Sequence, residues 1–207
     1  MVDALGVGDL SPGELSGRLG MASNLLAHHL KVLQAAGVVR RSRSEGDRRR
    51  TYVALELGDP AVLEVVGSRP MMPGAPRVVF VCTHNSARSH LARAAFERAS
   101  GIPAASAGTA PASSVHPGAV DSAGRHGLDL SGHPTAHVAD VLRPDDLVVA
   151  VCDNAYETSL GLDRTAVHWS VPDPVRTGTD AAFDAALAQI LVRADRLGHA
   201  LTDTQES

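Results

Sequence analysis

The sequence predicts an α/β chain in two units, and three observations predict it. Residues 67–76, Gly67-Ser68-Arg69-Pro70-Met71-Met72-Pro73-Gly74-Ala75-Pro76, hold three prolines and two glycines, which forbid a regular element and mark a junction. Before it, two short segments with helical apolar spacing precede an arginine-rich stretch flanked by β-formers, the pattern of two helices and a hairpin. After it, Arg77-Val78-Val79-Phe80-Val81-Cys82 is a continuous apolar run of the kind that forms a strand covered on both faces of a parallel sheet. Domains are therefore expected at 1–66 and 77–201, joined by a linker over 67–76.

At roughly 100–200 residues per domain, a chain of 207 residues accommodates this division. Hydrophobic residues at 44% and charged residues at 20% supply a core and a soluble surface and exclude wholesale disorder. Aromatics make up 3%, so the cores must be built from Ala, Val and Leu. No apolar run approaches the roughly 18–20 residues of a membrane span, and Met1-Val2-Asp3-Ala4-Leu5 lacks the basic start of a signal peptide. A soluble, cytoplasmic protein without a membrane partner is expected. Only Cys82 and Cys152 are present, which excludes a disulfide framework and a four-cysteine zinc site.

The net charge of −4 is unevenly spread: residues 1–70 carry 9 Lys/Arg against 8 Asp/Glu, and residues 71–207 carry 10 against 15. Lys31, Arg40, Arg41, Arg43, Arg48, Arg49 and Arg50 cluster within 31–50 against only Glu45 and Asp47. Such a cluster in an acidic protein is an address for a polyanion.

In the first unit, Ser11-Pro12-Gly13-Glu14 is a capping-box start for a helix that runs through Leu19 and ends at Gly20. A second helix from about Ser23 to Ala36 places Leu26, Leu30 and Leu33 on one face and stops at Gly37. Val38-Val39, the arginines around Glu45-Gly46-Asp47, and Thr51-Tyr52-Val53-Ala54-Leu55 read as a hairpin. Two short helices followed by a basic hairpin make a winged helix-turn-helix.

Over residues 3–57 this unit resembles the ArsR family of winged-helix repressors, most closely in His28-His29-Leu30-Lys31-Val32-Leu33-Gln34-Ala35-Ala36-Gly37-Val38-Val39. The resemblance implies DNA as a partner, with Ser23, Asn24, His28 and Lys31 entering the major groove and Arg48, Arg49 and Arg50 contacting phosphates. It also implies pairing of two copies through flanking helices, although the first helix is short and the other side offers only residues 59–66. Leu25 and Ala27 stand where the family presents polar side chains. The family's metalloid-binding cysteines have no counterpart in Asp9-Leu10-Ser11-Pro12, which excludes metalloid sensing through that helix.

In the second unit the strand is followed by Thr83-His84-Asn85-Ser86-Ala87-Arg88-Ser89 and then by an amphipathic helix from about Ser89 to Ala99. A cysteine at a strand end, five residues, and an arginine at a helix start form a specific spacing. Successive loop N–H groups can curl into an anion nest, the helix tip adds partial positive charge, and Arg88 supplies a planar fork for two oxygens. All three favour negative charge at one point, so the Cys82 thiol is expected to ionise at neutral pH beneath a bound tetrahedral oxyanion. Thr83, His84, Asn85, Ser86, Ala87 and Ser89 are the substrate-binding candidates. Asn85 can accept a left-handed backbone, and the Ser89 hydroxyl can donate to the sulfur.

Residues 76–200 resemble the superfamily of low-molecular-weight protein tyrosine phosphatases and thioredoxin-type arsenate reductases. The matching stretches are Val81-Cys82-Thr83-His84-Asn85-Ser86-Ala87-Arg88-Ser89, Ser106-Ala107-Gly108-Thr109, and Trp169-Ser170-Val171-Pro172-Asp173-Pro174. The implied fold is a four-stranded parallel, doubly wound sheet. The residues agree, with strands expected near 77–82, 103–107, 147–152 and 166–169 and helices near 116–127 and 180–198. By resemblance, Cys82 is the nucleophile, Arg88 holds the oxyanion, and Asp173 is the general acid.

Both branches begin with attack of the cysteine on a bound arsenate or phosphate oxyanion. The phosphatases place an aromatic residue after the Asp-Pro pair, where this chain has Val175, and Thr83, Ser86 and His168-Trp169-Ser170-Val171 look more like the reductase branch. An arsenate reductase-like enzyme is therefore expected, with a low-molecular-weight tyrosine phosphatase and an oxyanion-responsive regulator without turnover as alternatives. Thioredoxin-coupled members use two further cysteines; here Cys152 stands at the first position and Ser159 at the second. Cys152 is a candidate resolving thiol. By resemblance the reductant is a thiol co-substrate, either mycothiol, as in single-cysteine actinobacterial relatives, or glutathione or a thioredoxin-like redoxin, and no bound cofactor is expected. Pro134 between His133 and His137 and the absence of nearby carboxylates or thiols argue against a metal site.

Overall fold

The computed structural model of the chain describes residues 1–66, 72–158 and 166–202. Its first helix, α1 (Pro12–Leu19), starts in a reciprocal capping box: Glu14 N donates to Ser11 Oγ, and Ser11 N donates to the Glu14 carboxylate. Gly20, in the left-handed region, ends it. Helix α2 (Ser23–Ala35) leads into antiparallel strands β1 (Val39–Arg43) and β2 (Thr51–Leu55), which pair Val39 with Leu55 and Arg43 with Thr51; α3 (Pro60–Val66) follows. Leu15, Leu26, Leu30, Val39, Val53, Leu55 and Val62 pack in an apolar cluster of their own. The periodic leucines of the two short helices are buried here because neither helix could shield them alone.

The remaining elements are β3 (Val78–Cys82), α4 (Arg88–Ser100), β4 (Ala104–Gly108), α5 (Pro117–Arg125), α6 (Val138–Val141), β5 (Leu147–Ala150), α7 (Asp153–Glu157), β6 (Val167–His168), α8 (Pro174–Thr177) and α9 (Asp180–Thr202). The four strands β3 to β6 form one parallel sheet in the order β4-β3-β5-β6. Strand β3 is buried at every position, and this explains its unbroken apolar run. From β3 the chain goes first to β4 on one side and then to β5 on the other. The carboxyl end of β3 is therefore the topological switch point, where open parallel sheets leave a crevice for a ligand. The few aromatics are concentrated in this core: Phe80 packs against Phe96 and Trp169, with ring centroids 5.5 Å apart in both pairs.

Several expectations are corrected. The strand expected over 147–152 ends at Ala150, because Cys152 turns to cap α7 and its sulfur accepts from Ala155 N at 3.4 Å. The strand expected over 166–169 contracts to Val167–His168, with Trp169 N still donating to the Ala150 carbonyl at 2.8 Å and its side chain buried in the core. Helix α9 continues past residue 198 to Thr202, burying Ala200 and Leu201. Of the junction, residues 67–71 lie outside the described residues, as do 203–207 of the polar tail.

The segment before α1 is bonded to the sheet. Asp9 N donates to the His168 carbonyl at 2.7 Å, and Trp169 Nε1 donates to the Val7 carbonyl at 2.8 Å. A Cβ on Gly8 would lie 2.9 Å from the His168 carbonyl, so only glycine fits this approach. Arg193 of α9 grips Asp9 with both forks, at 2.9 and 3.1 Å, and Ser170 N donates to the same carboxylate at 2.7 Å. Both charges are buried, so removing one partner strands the other in a poorly solvating interior. Asp9→Ala is expected to lower stability by about 3–5 kcal/mol, measured by urea unfolding; a loss below about 1 kcal/mol would show a solvated pair.

Candidate active site

Cys82 closes β3, and α4 begins six residues later with Arg88. The intervening loop is shaped from outside. The carbonyls of Cys82, Thr83, His84 and Ser86 accept from the amides of Thr109, Ala110, Ala112 and His116 at 2.8–3.1 Å. A planar trans peptide points its N–H opposite its C=O, so the amides of Thr83, His84, Asn85 and Ala87 turn away from that segment, toward the inside of the loop. The Ser106–Thr109 stretch matters through Gly108: a Cβ there would come within 2.8 Å of the Thr83 carbonyl and 3.0 Å of Asn85.

Asn85 takes a left-handed backbone, φ 47°, and donates its N–H to Cys82 Sγ at 3.2 Å. Its side chain spans the loop: Oδ1 accepts from Ala136 N and Nδ2 donates to Ser89 Oγ, both at 2.8 Å. Because Ser89 Oγ already accepts from Asn85, its own hydrogen is free to be given to Cys82 Sγ, 3.2 Å away. The sulfur thus faces two donors beside the first turn of α4.

Arg88 is 5% exposed. Its Nη2 meets Asp173 Oδ2 at 3.1 Å, and its Nη1 donates to the Val171 carbonyl at 3.0 Å and to Glu45 Oε2 at 3.4 Å. Burial works against its charge, but the sulfurs of Cys152 and Cys82 and the two carboxylates outweigh it and raise the guanidinium above its ordinary value. Asp173 caps α8 with Oδ1, which accepts from Val175 N at 3.1 Å, while Oδ2 reaches Arg88. Cys82, His84, Ser86, Ala87, Arg88, Asp173 and Val175 line a pocket of about 10 Å³, room for about one water molecule.

The structure brings together Cys82, the 83–89 loop, Arg88 and Asp173. Cys152 lies alongside, its sulfur 3.6 Å from Thr83 Oγ1. Burial pushes its thiol up, and nearby Cys82 acts in the same direction against the pull of Arg88, so Cys152 is protonated at neutral pH. Ser159 lies outside the described residues. His90 is buried and lowered to about 4, chiefly by burial and secondarily by Arg93; it is neutral, 3.4 Å from Ser106 Oγ, and takes no place in the pocket. His137 caps α6, and among the described residues no group of three His, Cys, Asp or Glu side chains could hold a metal. Likewise, no described helix is long and apolar enough to cross a membrane.

Ser23, Asn24, His28 and Lys31 are exposed along α2, away from this pocket. Arg48, Arg49 and Arg50 are exposed at the hairpin tip, Arg49 gripping Asp47 with two bonds of 3.0 Å. The tip itself faces the site, which sequence reasoning missed. Glu45 N donates to Asp153 Oδ2 at 2.8 Å, Asp47 N to Glu157 Oε2 at 2.7 Å, and Tyr52 Oη to Glu157 Oε1 at 2.8 Å. Burial opposes ionisation of Asp153, yet the bonds from His168, the Glu45 amide and Ser170 outweigh it and hold the carboxyl below the usual range. The only signal for this docking was the acidic triplet Glu45-Gly46-Asp47 amid arginines.

A cysteine and an amide-lined loop at the switch point of a parallel sheet, with a buried arginine on the following helix, form an arrangement able to hold a tetrahedral oxyanion beside a sulfur. The chain belongs to the low molecular weight phosphotyrosine protein phosphatase family, whose sequence profile matches residues 77–206. Among solved structures it is similar to an arsenate reductase from Archaeoglobus fulgidus, with 31% identity over 58% of this chain and 98% of that one and a TM-score of 0.51. It shares its fold with the tyrosine phosphatase Wzb from Escherichia coli, with 22% identity over 61% and 99% and a TM-score of 0.55. The tyrosine phosphatase AmsI from Erwinia amylovora matches in the same way, with 19% identity over 63% and 93% and a TM-score of 0.53. No curated protein sequence matches the chain. The family thus covers arsenate reductases and phosphatases alike.

Asn85→Ala removes both cross-loop bonds and places alanine at positive φ, so stability is expected to fall by about 1–3 kcal/mol. Binding of sulfate, read by calorimetry, should weaken with it. Unchanged sulfate affinity would mean that the loop keeps its shape without Asn85.

Proposed function

We propose that the enzyme is an arsenate reductase in which Cys82 is the nucleophile, and the observation that carries this reading is a second thiol, Cys152, beside an anion loop whose mouth, among the described residues, is lined by Val175 and by no Phe, Tyr or Trp. The 31% identity to an arsenate reductase supports the same branch. An arsenate oxyanion would take the inward amides of the loop and the fork of Arg88, parting that fork from Asp173. The Cys82 thiolate attacks arsenic; a sulfur–arsenic bond forms as an arsenic–oxygen bond breaks, and the leaving oxygen departs as water with a proton from Asp173. A second thiolate then attacks Cys82 Sγ. The new disulfide forms while the electron pair of the sulfur–arsenic bond stays on arsenic, reducing it from As(V) to As(III), which leaves as arsenite. Cys152, once deprotonated, or a thiol co-substrate such as mycothiol, glutathione or a redoxin supplies that second sulfur, and no bound cofactor takes part.

Cys82→Ser should abolish arsenite release, and Arg88→Ala should lower it by about 10²–10³-fold, in assays supplied with each thiol system. Cys152→Ser separates the two resolving routes: loss of activity identifies Cys152, whereas retention identifies the external thiol. The alternative is a phosphatase, favoured by the family description itself; turnover of p-nitrophenyl phosphate without arsenite release under any reductant would replace the reductase reading.

For the first unit we propose an ArsR-like winged helix that binds DNA through α2 and the hairpin. Its support is the exposure of Ser23, Asn24, His28, Lys31, Arg48, Arg49 and Arg50. Retardation of the chain's own promoter should weaken steeply with added salt, through counterion release, and no retardation at low salt would remove the idea. Together with DNA binding but no turnover, an oxyanion-responsive regulator would remain.

A further inference from the structure

We infer that the hairpin tip is an intramolecular competitor of the oxyanion, with Glu45 occupying the guanidinium that the substrate must use. This rests on the reading of the loop as an oxyanion cradle. The Glu45 carboxylate is held as a bound anion would be. Asp173 N donates to it at 3.1 and 3.3 Å, Arg88 Nη1 at 3.4 Å, and Arg176 Nη1 stands 3.9 Å away. None of these groups belongs to the unit that carries Glu45.

The position of Glu45 is enforced from two sides. Its own N–H is tied to Asp153, and the next turn of the hairpin is tied to Glu157 through Asp47 N and Tyr52 Oη. Gly46 lies so close to α7 that a Cβ there would come within 2.5 Å of Glu157 Oε2 and 2.6 Å of Asn154 Oδ1. A side chain carried on so fixed a backbone reaches Arg88 at little further loss of freedom.

With Nη1 on Glu45 and Val171 and Nη2 on Asp173, three of the five N–H donors of Arg88 are committed, so an oxyanion that takes its Nη edge competes with both carboxylates. Two anions against one guanidinium also repel each other. Oxyanion binding and hairpin docking therefore compete at Arg88, and by linkage each weakens the other by the same factor. Because Arg48, Arg49 and Arg50 ride on the same tip, occupation of the cradle would alter how they are presented to a polyanion.

The test uses the full chain and inorganic phosphate. Calorimetric titration compares wild type with Glu45→Gln, which keeps shape but removes the charge, and with Glu157→Ala, which loosens the anchor and leaves Glu45 intact. Both variants are expected to bind phosphate at least tenfold more tightly than wild type, and hydrogen exchange at residues 46–50 of wild type should accelerate when phosphate saturates it. Equal or weaker phosphate affinity in Glu45→Gln, or exchange at 46–50 indifferent to phosphate, overturns the competition. Should neither wild type nor Glu45→Gln bind phosphate at all, the cradle reading itself falls, an outcome distinct from equal binding by both.

Discussion

A guanidinium buried at the end of a parallel sheet has to be surrounded by acceptors, and the rest of the site follows from how Arg88 meets that demand. Its position at the first turn of α4 gives it a fixed stem, and the Val171 carbonyl uses one of its donors. The remaining directions require anions. Asp173 and Glu45 fill them here, one from the loop before α8 and one from a hairpin far away in the chain. A tetrahedral oxyanion would meet the same demand, and this is the basis of the proposed substrate site.

The loop over Cys82 solves a complementary problem. Its inward amides would be poorly satisfied unless a ligand, water or the sulfur accepted from them. Holding them there needs the outward carbonyls pinned, and the strand-to-helix segment after β4 does this with four amides. Gly108 and Asn85 permit the close approach, one by lacking a Cβ and the other by accepting positive φ while bridging Ser89 and Ala136. Donors aimed at a sulfur and a cation beside it are one electrostatic arrangement, built from three separate pieces of chain.

Buried polar contacts join the two units. The Asp9–Arg193 pair is buried, and the Trp169 and Ser170 donors end on residues of the first unit. The cluster around His168 continues this seam: its Nε2 lies 3.0 Å from Asp153 Oδ1, Tyr156 stacks on its ring, and Tyr52 meets it edge-on. Asp153 in turn receives the Glu45 amide, so the seam runs without interruption from the sheet edge to the hairpin tip.

The local pattern of residues determined the elements and the anion loop. The capping box of α1, the apolar run of β3 and the Cys82 to Arg88 spacing are short-range features, and short-range physics is enough to read them. Where neighbours intervened, the reading failed by a few residues, as when Cys152 became a helix cap. Only the tertiary structure decided that the basic hairpin turns its acidic tip onto Arg88. No periodicity or spacing encodes that contact, because it depends on how two separately formed cores are docked across residues more than forty positions apart.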